Sequence, residues 1–361
     1  MDVRKPVKVL VSNLVPGMKL AHPVYDFHGH FLLNKGVTLT TGYIKALQKR
    51  HILSVYIEGV AIPEDFITQQ QDAIEETIRA DAFASIQNLF EKGDVAAIKA
   101  VTASVENIMR ELMAGKTAIG ALTEISSTDA YTYAHSVDVC ILALETGILQ
   151  KYEKDKLLKL GVGCILHDLG KVKTPSEILN KTGKLTNKEF DIIKKHPHDG
   201  YQLARKIQPD LAENSASIIY GHHERRDGRG YPLGLEGENI DEMSSICAIA
   251  DAYNALTTDR PYRKAVPSNE AYEYLMASGY DIAGQKVRDA FLHCVTPFPV
   301  GSMVLLSTGD IGVVVQVNHD IPLRPQVYVA TRKHMIDLSN ELSITVLKIS
   351  EEVIADQIIT L

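Results

Sequence analysis

The sequence predicts a mainly α-helical protein that carries a small N-terminal α+β module and a small C-terminal β-rich domain. From Thr123 to about Cys294, apolar residues recur at helical spacing between polar loops. Short apolar segments broken by turn residues fill 7–62, and apolar runs return around Thr308-Gly309-Asp310, which is typical of a hairpin. We therefore predict an accessory module at 1–62, a helical connector at 63–122, an all-helical domain at 123–297 and a β domain at 298–361.

Within the N-terminal module, apolar residues flank Asp26–His30, which predicts a hairpin. A helix at Gly42–Arg50 and a strand at Ser54–Ile57 should follow. His28 and His30 could be imagined as metal ligands, but we interpret them as exposed turn residues.

The connector should form two helices, with a break near Gly93-Asp94. We interpret their apolar stripes as core packing rather than as a partner-binding face. In the C-terminal domain, the expected strands are Val300–Ser307, Ile311–Val317, Gln326–Thr331 and Ser343–Ile349.

Composition excludes several classes of protein. A formal net charge of -7 argues against a general DNA- or RNA-coating protein, although it leaves room for a small anionic ligand. No run approaches the ~18 apolar residues of a membrane span, and the N-terminus lacks a signal peptide's apolar core. The four cysteines form no close pair, which is typical of buried free thiols in the cytoplasm.

The dipeptide His167-Asp168 ends a helical pattern that we predict over Asp155–Leu169. Leu160, Cys164 and His167 share one face, so the helix should direct His167 inward. A buried charged aspartate is costly without a cation or a strong hydrogen bond. Lone His-Asp pairs are common, however, and taken alone this one would be a satisfied core histidine beside a helix-end aspartate.

Further histidines and an aspartate in apolar surroundings favour a metal site instead. They are His135, His196, His222, His223 and Asp251. Together with His167 and Asp168 they make five core-directed imidazoles and two carboxylates, which an empty interior would not tolerate. Two divalent ions would satisfy the whole set.

In the order His, His-Asp, His, His-His, Asp, the sequence resembles the HD phosphohydrolase superfamily. The segment His222–Pro232 matches the HHExxDGxGYP signature of HD-GYP proteins, and His167–Lys171 matches HDxGK. Asp251–Arg263 (DAYNALTTDRPYR) is similar to the segment that closes the family's site. The resemblance covers roughly residues 123–295 and implies that this region is an HD-type catalytic domain.

This resemblance implies that Asp168 bridges two metals, most plausibly iron or manganese, with zinc as an alternative. One site would be completed by His135, His167 and Asp251, and the other by His196, His222 and His223. Two such ions can clamp a phosphodiester and hold a bridging hydroxide for in-line attack. Some family members bind a third metal through a glutamate four residues before the first histidine. Here that position is Tyr131, which favours a two-metal site.

The expected activity is hydrolysis of cyclic di-GMP to pGpG, and further to GMP in some relatives, with cyclic GMP-AMP as an alternative substrate. Lys171 lies one helical turn past His167 and should reach a substrate phosphate, unless it is only a solvated helix-end cation. Arg260 and Arg263 resemble phosphate- or guanine-binding residues of the family. Tyr231 should act as a lid or partner residue.

Candidate partners are diguanylate cyclase domains, through Gly230-Tyr231-Pro232, and a second copy of the chain in a homodimer. Two other functional classes stay open at this point. A non-catalytic cyclic dinucleotide receptor would bind without turnover. A mononucleotide triphosphohydrolase would share the metal ligands but would have no use for the GYP loop.

Overall fold

The N-terminal module of the computed structural model combines short antiparallel strand pairs with one helix. The structure describes residues 2–11, 14–25, 31–50, 52, 54–63, 74–116, 128–181, 183–258, 265–318 and 320–349. The elements of this module are β1 (Asp2–Leu10), β2 (Val24–Tyr25), β3 (Phe31–Leu33), α1 (Thr41–Lys49) and β4 (Ser54–Pro63). The antiparallel pairing of β2 with β3 agrees with the predicted hairpin, although its turn, with His28 and His30, lies outside the described residues.

The connector forms two helices, as the spacing predicts, and its break has a clear local cause. The first helix, α2, spans Glu76–Lys92, and the second, α3, spans Val95–Met113. Gly93 ends α2 in the left-handed conformation, at a φ of 60° that favours glycine. The side chain of Asp94 then accepts a hydrogen bond from the backbone N–H of Ala97 and so caps α3.

The remaining helices pack with the connector around one continuous apolar core, which runs from Ile74 to Val295. In chain order they are α4 (Thr128–Leu149), α5 (Lys154–Ile165), α6 (Ser176–Leu179), α7 (Asn187–Ile193), α8 (His196–Ile207), α9 (Pro209–Gly221), α10 (Glu242–Thr257), α11 (Ser268–Ala283) and α12 (Gln285–Cys294). Within the described part of the chain, no helix is both long and apolar enough to cross a bilayer. Cys140, Cys164 and Cys247 are buried free thiols; a cytoplasmic location stays a prediction.

The C-terminal domain is a five-stranded antiparallel sheet in the order β8-β7-β6-β5-β9. Its strands are β5 (Met303–Leu306), β6 (Ile311–Gln316), β7 (Gln326–Val329), β8 (His334–Asp337) and β9 (Val346–Ile349). Strand β8 is absent from the predicted strands, because its two apolar residues, Met335 and Ile336, are adjacent and lie between His334 and Asp337. Two adjacent apolar residues give no detectable alternation.

The two faces of this sheet pack against different partners. Val304, Val314 and Val327 point into a core formed within the C-terminal domain. The opposite face, with Val313 and Val315, joins a cluster built mainly from the N-terminal module. The two ends of the chain therefore share one hydrophobic core, which the sequence analysis did not anticipate.

At Gly170, the backbones of two parts of the helical domain pack unusually close to each other. This glycine lies in a 3-10 turn, Leu169–Lys173, that packs on α8. A Cβ atom there would meet the backbone oxygen of His196 at 2.0 Å and the nitrogen of Gly200 at 2.5 Å. Glycine is therefore required for the turn to lie so close to α8.

We predict that Gly170→Ala lowers the free energy of unfolding by at least about 2 kcal/mol, because rigid backbone atoms must move to admit the methyl group. Denaturant unfolding measures this loss. Gly183→Ala is the matched control, since a Cβ at Gly183 has no atom within 4 Å. Equal stabilities of the two variants would contradict the prediction.

Candidate metal centre

Five parts of the helical domain deliver the predicted ligand residues to one place. His135 comes from α4, Asp251 from α10, and His196 from the first position of α8. His167-Asp168 follows α5, and His222-His223 follows α9. His135, His167, Asp168, His196 and His222 are at most 3% exposed. The side chains of Asp251 and His223 are more open, at 17% and 25%.

The helix before His167 is shorter than predicted, because α5 ends at Ile165 and not at Leu169. His167 therefore lies just beyond the end of the helix. That end leaves the carbonyl of Cys164 available as an acceptor. Nδ1 of His167 lies 2.7 Å from that oxygen, so the helix end itself orients the ring.

Backbone carbonyls orient two further histidines in the same way. Nδ1 of His196 is 2.8 Å from the oxygen of Ile193, and Nδ1 of His222 is 3.0 Å from that of Ile219. A carbonyl can only accept, so the proton of each neutral ring lies on Nδ1. The Nε2 lone pair of each ring is then available for a metal, which is the usual arrangement of histidine ligands.

The imidazoles converge on the carboxylate of Asp168. Nε2 of His167 lies 3.4 Å from Oδ2 of Asp168, and Nε2 of His196 lies 3.4 Å from Oδ1. Nε2 of His135 is 3.8 Å from Oδ2. Asp168 therefore has histidine nitrogens near both of its carboxylate oxygens.

Asp251 joins the same arrangement from α10. Its Oδ1 lies 3.0 Å from Nε2 of His135, and its Oδ2 lies 3.9 Å from Nδ1 of His223. Burial opposes its ionisation, but the surrounding histidines outweigh burial and hold the pKa of Asp251 well below its usual range. Asp251 is therefore an anion at neutral pH.

Burial acts to lower the pKa of each of these histidines, but the net shift of the pKa differs from one histidine to another. Desolvation lowers the pKa of His196 to about 4 and that of His223 to about 3, so both rings are neutral near pH 7, as metal binding would require. At His167, burial also acts to lower the pKa, but the adjacent charge of Asp168 outweighs it and raises the pKa to about 10. In the absence of metal, His167 therefore carries a second proton, on Nε2, and its ring is positively charged near pH 7.

Two buried polar atoms of the centre lack a hydrogen-bond partner among the described residues. They are Nε2 of His167 and Oδ1 of Asp168, which both face the other ligand-type atoms. Two groups have their ligand atoms within 4.8 Å of one another: His135, His167 and Asp168, and His196, His222 and His223. Imidazole nitrogens and carboxylate oxygens in this number fit divalent transition metals, and such ions would satisfy both buried atoms.

A buried glutamate holds the loop after the double histidine. Glu224 is 1% exposed and accepts hydrogen bonds from the backbone N–H groups of Leu233 and Leu235 at 2.6 and 2.8 Å. Gly230 is required beneath it, because a Cβ there would lie 2.3 Å from the nitrogen of Arg225. The loop thereby places the ring of Tyr231 against that of His223, at 4.7 Å between centroids.

The predicted substrate residues are placed only in part. Nζ of Lys171 lies 2.5 Å from Oδ2 of Asp168, with about a quarter of its side chain exposed. The ring of Tyr231 lies against that of His223, and its role as a lid or partner residue stays a prediction. Arg260 and Arg263 lie outside the described residues, as does the side chain of Tyr131.

Sequence reasoning missed the residues that orient His135. Its Nδ1 lies 2.7 Å from Oδ1 of Asn254, a fully buried amide. Asn254 in turn contacts buried Asp138. The signal was present, since Asp138 follows His135 by three positions and Asn254 follows Asp251 by three. Each pair therefore shares a helix face.

Comparison with known proteins agrees with this geometry. A family model described as an HD domain matches residues 121–282, and one described as a KOW domain associated with HD domain matches 303–354. The chain is 32% identical to a cyclic di-GMP phosphodiesterase of Pseudomonas aeruginosa over 343 residues, covering 87% of this chain and 80% of that protein.

Two further comparisons concern part of the sequence and the fold of the chain, respectively. A 3'3'-cGAMP-specific phosphodiesterase of Vibrio cholerae is 38% identical over 152 residues, 40% of this chain and 33% of that protein. An HDG"Y"P protein from Bdellovibrio bacteriovorus superposes with a TM-score of 0.53 at 21% identity, over 80% of this chain and 98% of that chain. The latter likeness concerns the fold alone.

A helical domain that gathers histidines and aspartates around a His-Asp pair defines the HD class of metal-dependent hydrolases. Within that class, the chain belongs to the HD-GYP family of phosphodiesterases.

We predict that Glu224→Gln loosens the GYP loop, because the amide places an N–H group where a backbone N–H needs an acceptor. Amide hydrogen exchange at Leu233 or Leu235 should become about 10-fold faster or more. Glu238→Gln is the control, since Glu238 is 93% exposed and pairs with Arg226 at the surface. Unchanged exchange in Glu224→Gln would refute this role.

Metal binding should release roughly one proton per chain near neutral pH, because His167 must give up its proton to become a ligand. Apparent affinity for Mn²⁺ should accordingly rise with pH below about 10, the pKa of His167. Calorimetric titration in buffers of different ionisation enthalpy counts the released protons. Identical heats in all buffers would show that His167 is neutral before the metal binds.

Proposed function

We propose that this chain hydrolyses cyclic di-GMP to linear pGpG, and onward to GMP as a secondary product. One observation carries the proposal: six ligand-type side chains, from five parts of the fold, gather with the carboxylate of Asp168. The 32% identity to a cyclic di-GMP phosphodiesterase over most of the chain supports the same substrate.

The residues present would hold two divalent ions, with iron or manganese favoured by the mixture of imidazole and carboxylate ligands. His135, His167 and Asp251 would serve one ion, His196, His222 and His223 the other, and Asp168 both. Such a pair would supply an activated water and neutralise charge on the phosphodiester.

The chain's own groups would orient the substrate and manage charge. Asp168 remains anionic despite burial, because His167 and Lys171 hold its pKa well below the usual range. The ammonium of Lys171 lies at the partly exposed edge of the centre, where it could exchange its contact with Asp168 for a phosphate oxygen. Arg260 and Arg263 are proposed as further phosphate or guanine contacts.

The GYP loop would shield the reacting phosphate from bulk water. Tyr231 lies two residues before Leu233, whose backbone N–H donates to Glu224, and its ring lies against that of His223. These two contacts support a position of the loop over one side of the centre. The segment Gly230-Tyr231-Pro232 is also the proposed contact for diguanylate cyclase domains. A homodimer is a separate expectation that follows from neither contact.

Cyclic GMP-AMP is the second candidate substrate, because a relative specific for 3'3'-cGAMP is 38% identical over 152 residues. Both substrates present the same phosphodiester to the metal centre and differ in one base. Their discrimination must therefore come from base contacts and not from the ligand set.

Purified protein supplied with Mn²⁺ or Fe²⁺ should open cyclic di-GMP to pGpG, as measured by product chromatography. Asp168→Ala and His167→Ala should each lower turnover more than about 100-fold, because losing a ligand costs more than losing a residue behind it. His198→Ala is the matched control: this exposed histidine lies two residues from His196 and outside the centre.

The same assay separates the competing functions. If the protein binds cyclic di-GMP stoichiometrically but forms no product with any of several divalent metals, the result would support a non-catalytic receptor and contradict hydrolysis. Faster turnover of dGTP than of any cyclic dinucleotide would support the triphosphohydrolase. A higher kcat/KM for cyclic GMP-AMP would reassign the substrate but keep the reaction.

A further inference from the structure

A buried chain of polar contacts connects the connector helix α2 to the metal centre. A guanidinium nitrogen of Arg79, on α2, pairs with Oδ1 of Asp138, and both side chains are 4% exposed. Oδ2 of Asp138 accepts a hydrogen bond from Nδ2 of Asn254 at 3.4 Å. Oδ1 of Asn254 lies 2.7 Å from Nδ1 of His135. Four residues from three helices thus form one continuous path.

We propose that Arg79 and Asp138 are positioning residues of the metal centre, which fix the amide of Asn254 and thereby the tautomer of His135. This inference rests on the proposed function, since it assigns His135 as a ligand. It adds the connector to the working site, because Arg79 lies outside the 121–282 region that the HD-domain model matches.

His135 differs from three other histidines of the centre in what orients it. His167, His196 and His222 face backbone carbonyls, which can only accept a hydrogen bond. His135 faces a side-chain amide, and rotation of that amide by half a turn would present its NH₂ group instead. Its tautomer therefore depends on a further contact that fixes the amide.

The carboxylate of Asp138 provides that contact. An ionised carboxylate only accepts, so the amide of Asn254 must turn its NH₂ group toward Asp138 and its oxygen toward His135. The ring of His135 then carries its proton on Nδ1. Its Nε2 can then give its lone pair to a cation that lies between the ring and the carboxylates of Asp168 and Asp251.

Burial raises the pKa of Asp138, and the charge of Arg79 is the strongest influence that opposes this rise and favours the ionised, accepting carboxylate. A buried carboxylate without a cation would take up a proton and could then donate a hydrogen bond, which would release the constraint on Asn254. The guanidinium is buried, permanently charged and anchored on α2, which packs into the same core as α4. The connector thereby contributes to metal binding without touching a ligand.

The decisive variants exchange the two polar groups within the path. In Asp138→Asn, Arg79 should retain the oxygen of the new amide, which turns the NH₂ group of that amide toward Asn254. Asn254 must then reverse and present its own NH₂ group to His135. The ring would move its proton to Nε2 and lose its capacity to bind metal.

The double variant Asp138→Asn with Asn254→Asp should restore binding. The new carboxylate at position 254 accepts both from the amide at position 138 and from Nδ1 of His135. A residue that serves only packing would give no such recovery, because the double variant makes more changes than the single one.

Both variants are made in the full chain and titrated with Mn²⁺ by calorimetry, and the histidine tautomers of the metal-free proteins are determined by ¹⁵N NMR. Asp138→Asn should weaken Mn²⁺ binding about 10- to 100-fold and remove the proton from Nδ1 of one histidine ring. The double variant should regain most of the affinity and the original tautomer. Arg79→Met should weaken Mn²⁺ binding in the same direction as Asp138→Asn.

Ile86→Ala is the matched control on α2, since Ile86 is fully buried in the core and outside the polar path. It should lower the melting temperature but keep the Mn²⁺ affinity. Wild-type affinity and tautomer in Asp138→Asn, or equal loss in the single and double variants, would overturn the inference.

These readouts do not depend on turnover. A wild-type protein that fails to cleave cyclic di-GMP, while Asp138→Asn still loses Mn²⁺ and the double variant regains it, would refute the proposed function and support the inference. Normal turnover in the wild type, together with unaltered Mn²⁺ binding in Asp138→Asn, would support the proposed function and refute the inference.

Discussion

The helical domain is organised around one buried negative charge. The carboxylate of Asp168 is 1% exposed, and an isolated anion at that depth would cost far more than the net stability of a domain. It is tolerable because imidazoles approach both of its oxygens and because Lys171 reaches one of them. The positions of the surrounding helices follow from the need to bring those groups to a single carboxylate.

Helix ends provide most of this placement. The last carbonyls of a helix have no intrahelical partner, and the histidines after α5 and α9 use them to fix their rings. His196 lies at the start of α8, and its ring faces the carbonyl of Ile193, the last residue of α7. A ligand at a helix end is therefore oriented by the backbone, whereas His135, in the middle of α4, must rely on side chains.

The sequence predicted the parts of the structure that depend on local order. The break at Gly93-Asp94 was predictable because a left-handed glycine and a capping aspartate act within a few residues. The histidines and aspartates of the centre were recognisable because polar groups interrupt strongly apolar runs and match a known motif. In contrast, the contact of Arg79 with Asp138 spans 59 positions and carries no periodic signal. The end of α5 and the short strand β8 were misjudged because tertiary contacts, and not local spacing, determine them.

The shared core of the two chain ends bears on how the protein is made. Val9 and Leu20, from the first module, lie in the same cluster as Val313 and Tyr328, from the last domain. Synthesis proceeds from the N-terminus at about 5–20 residues per second, so the first module emerges well before its partner sheet. During that interval its apolar face has no native cover. The N-terminal module therefore stays incompletely packed until the strands of the C-terminal sheet have left the ribosome.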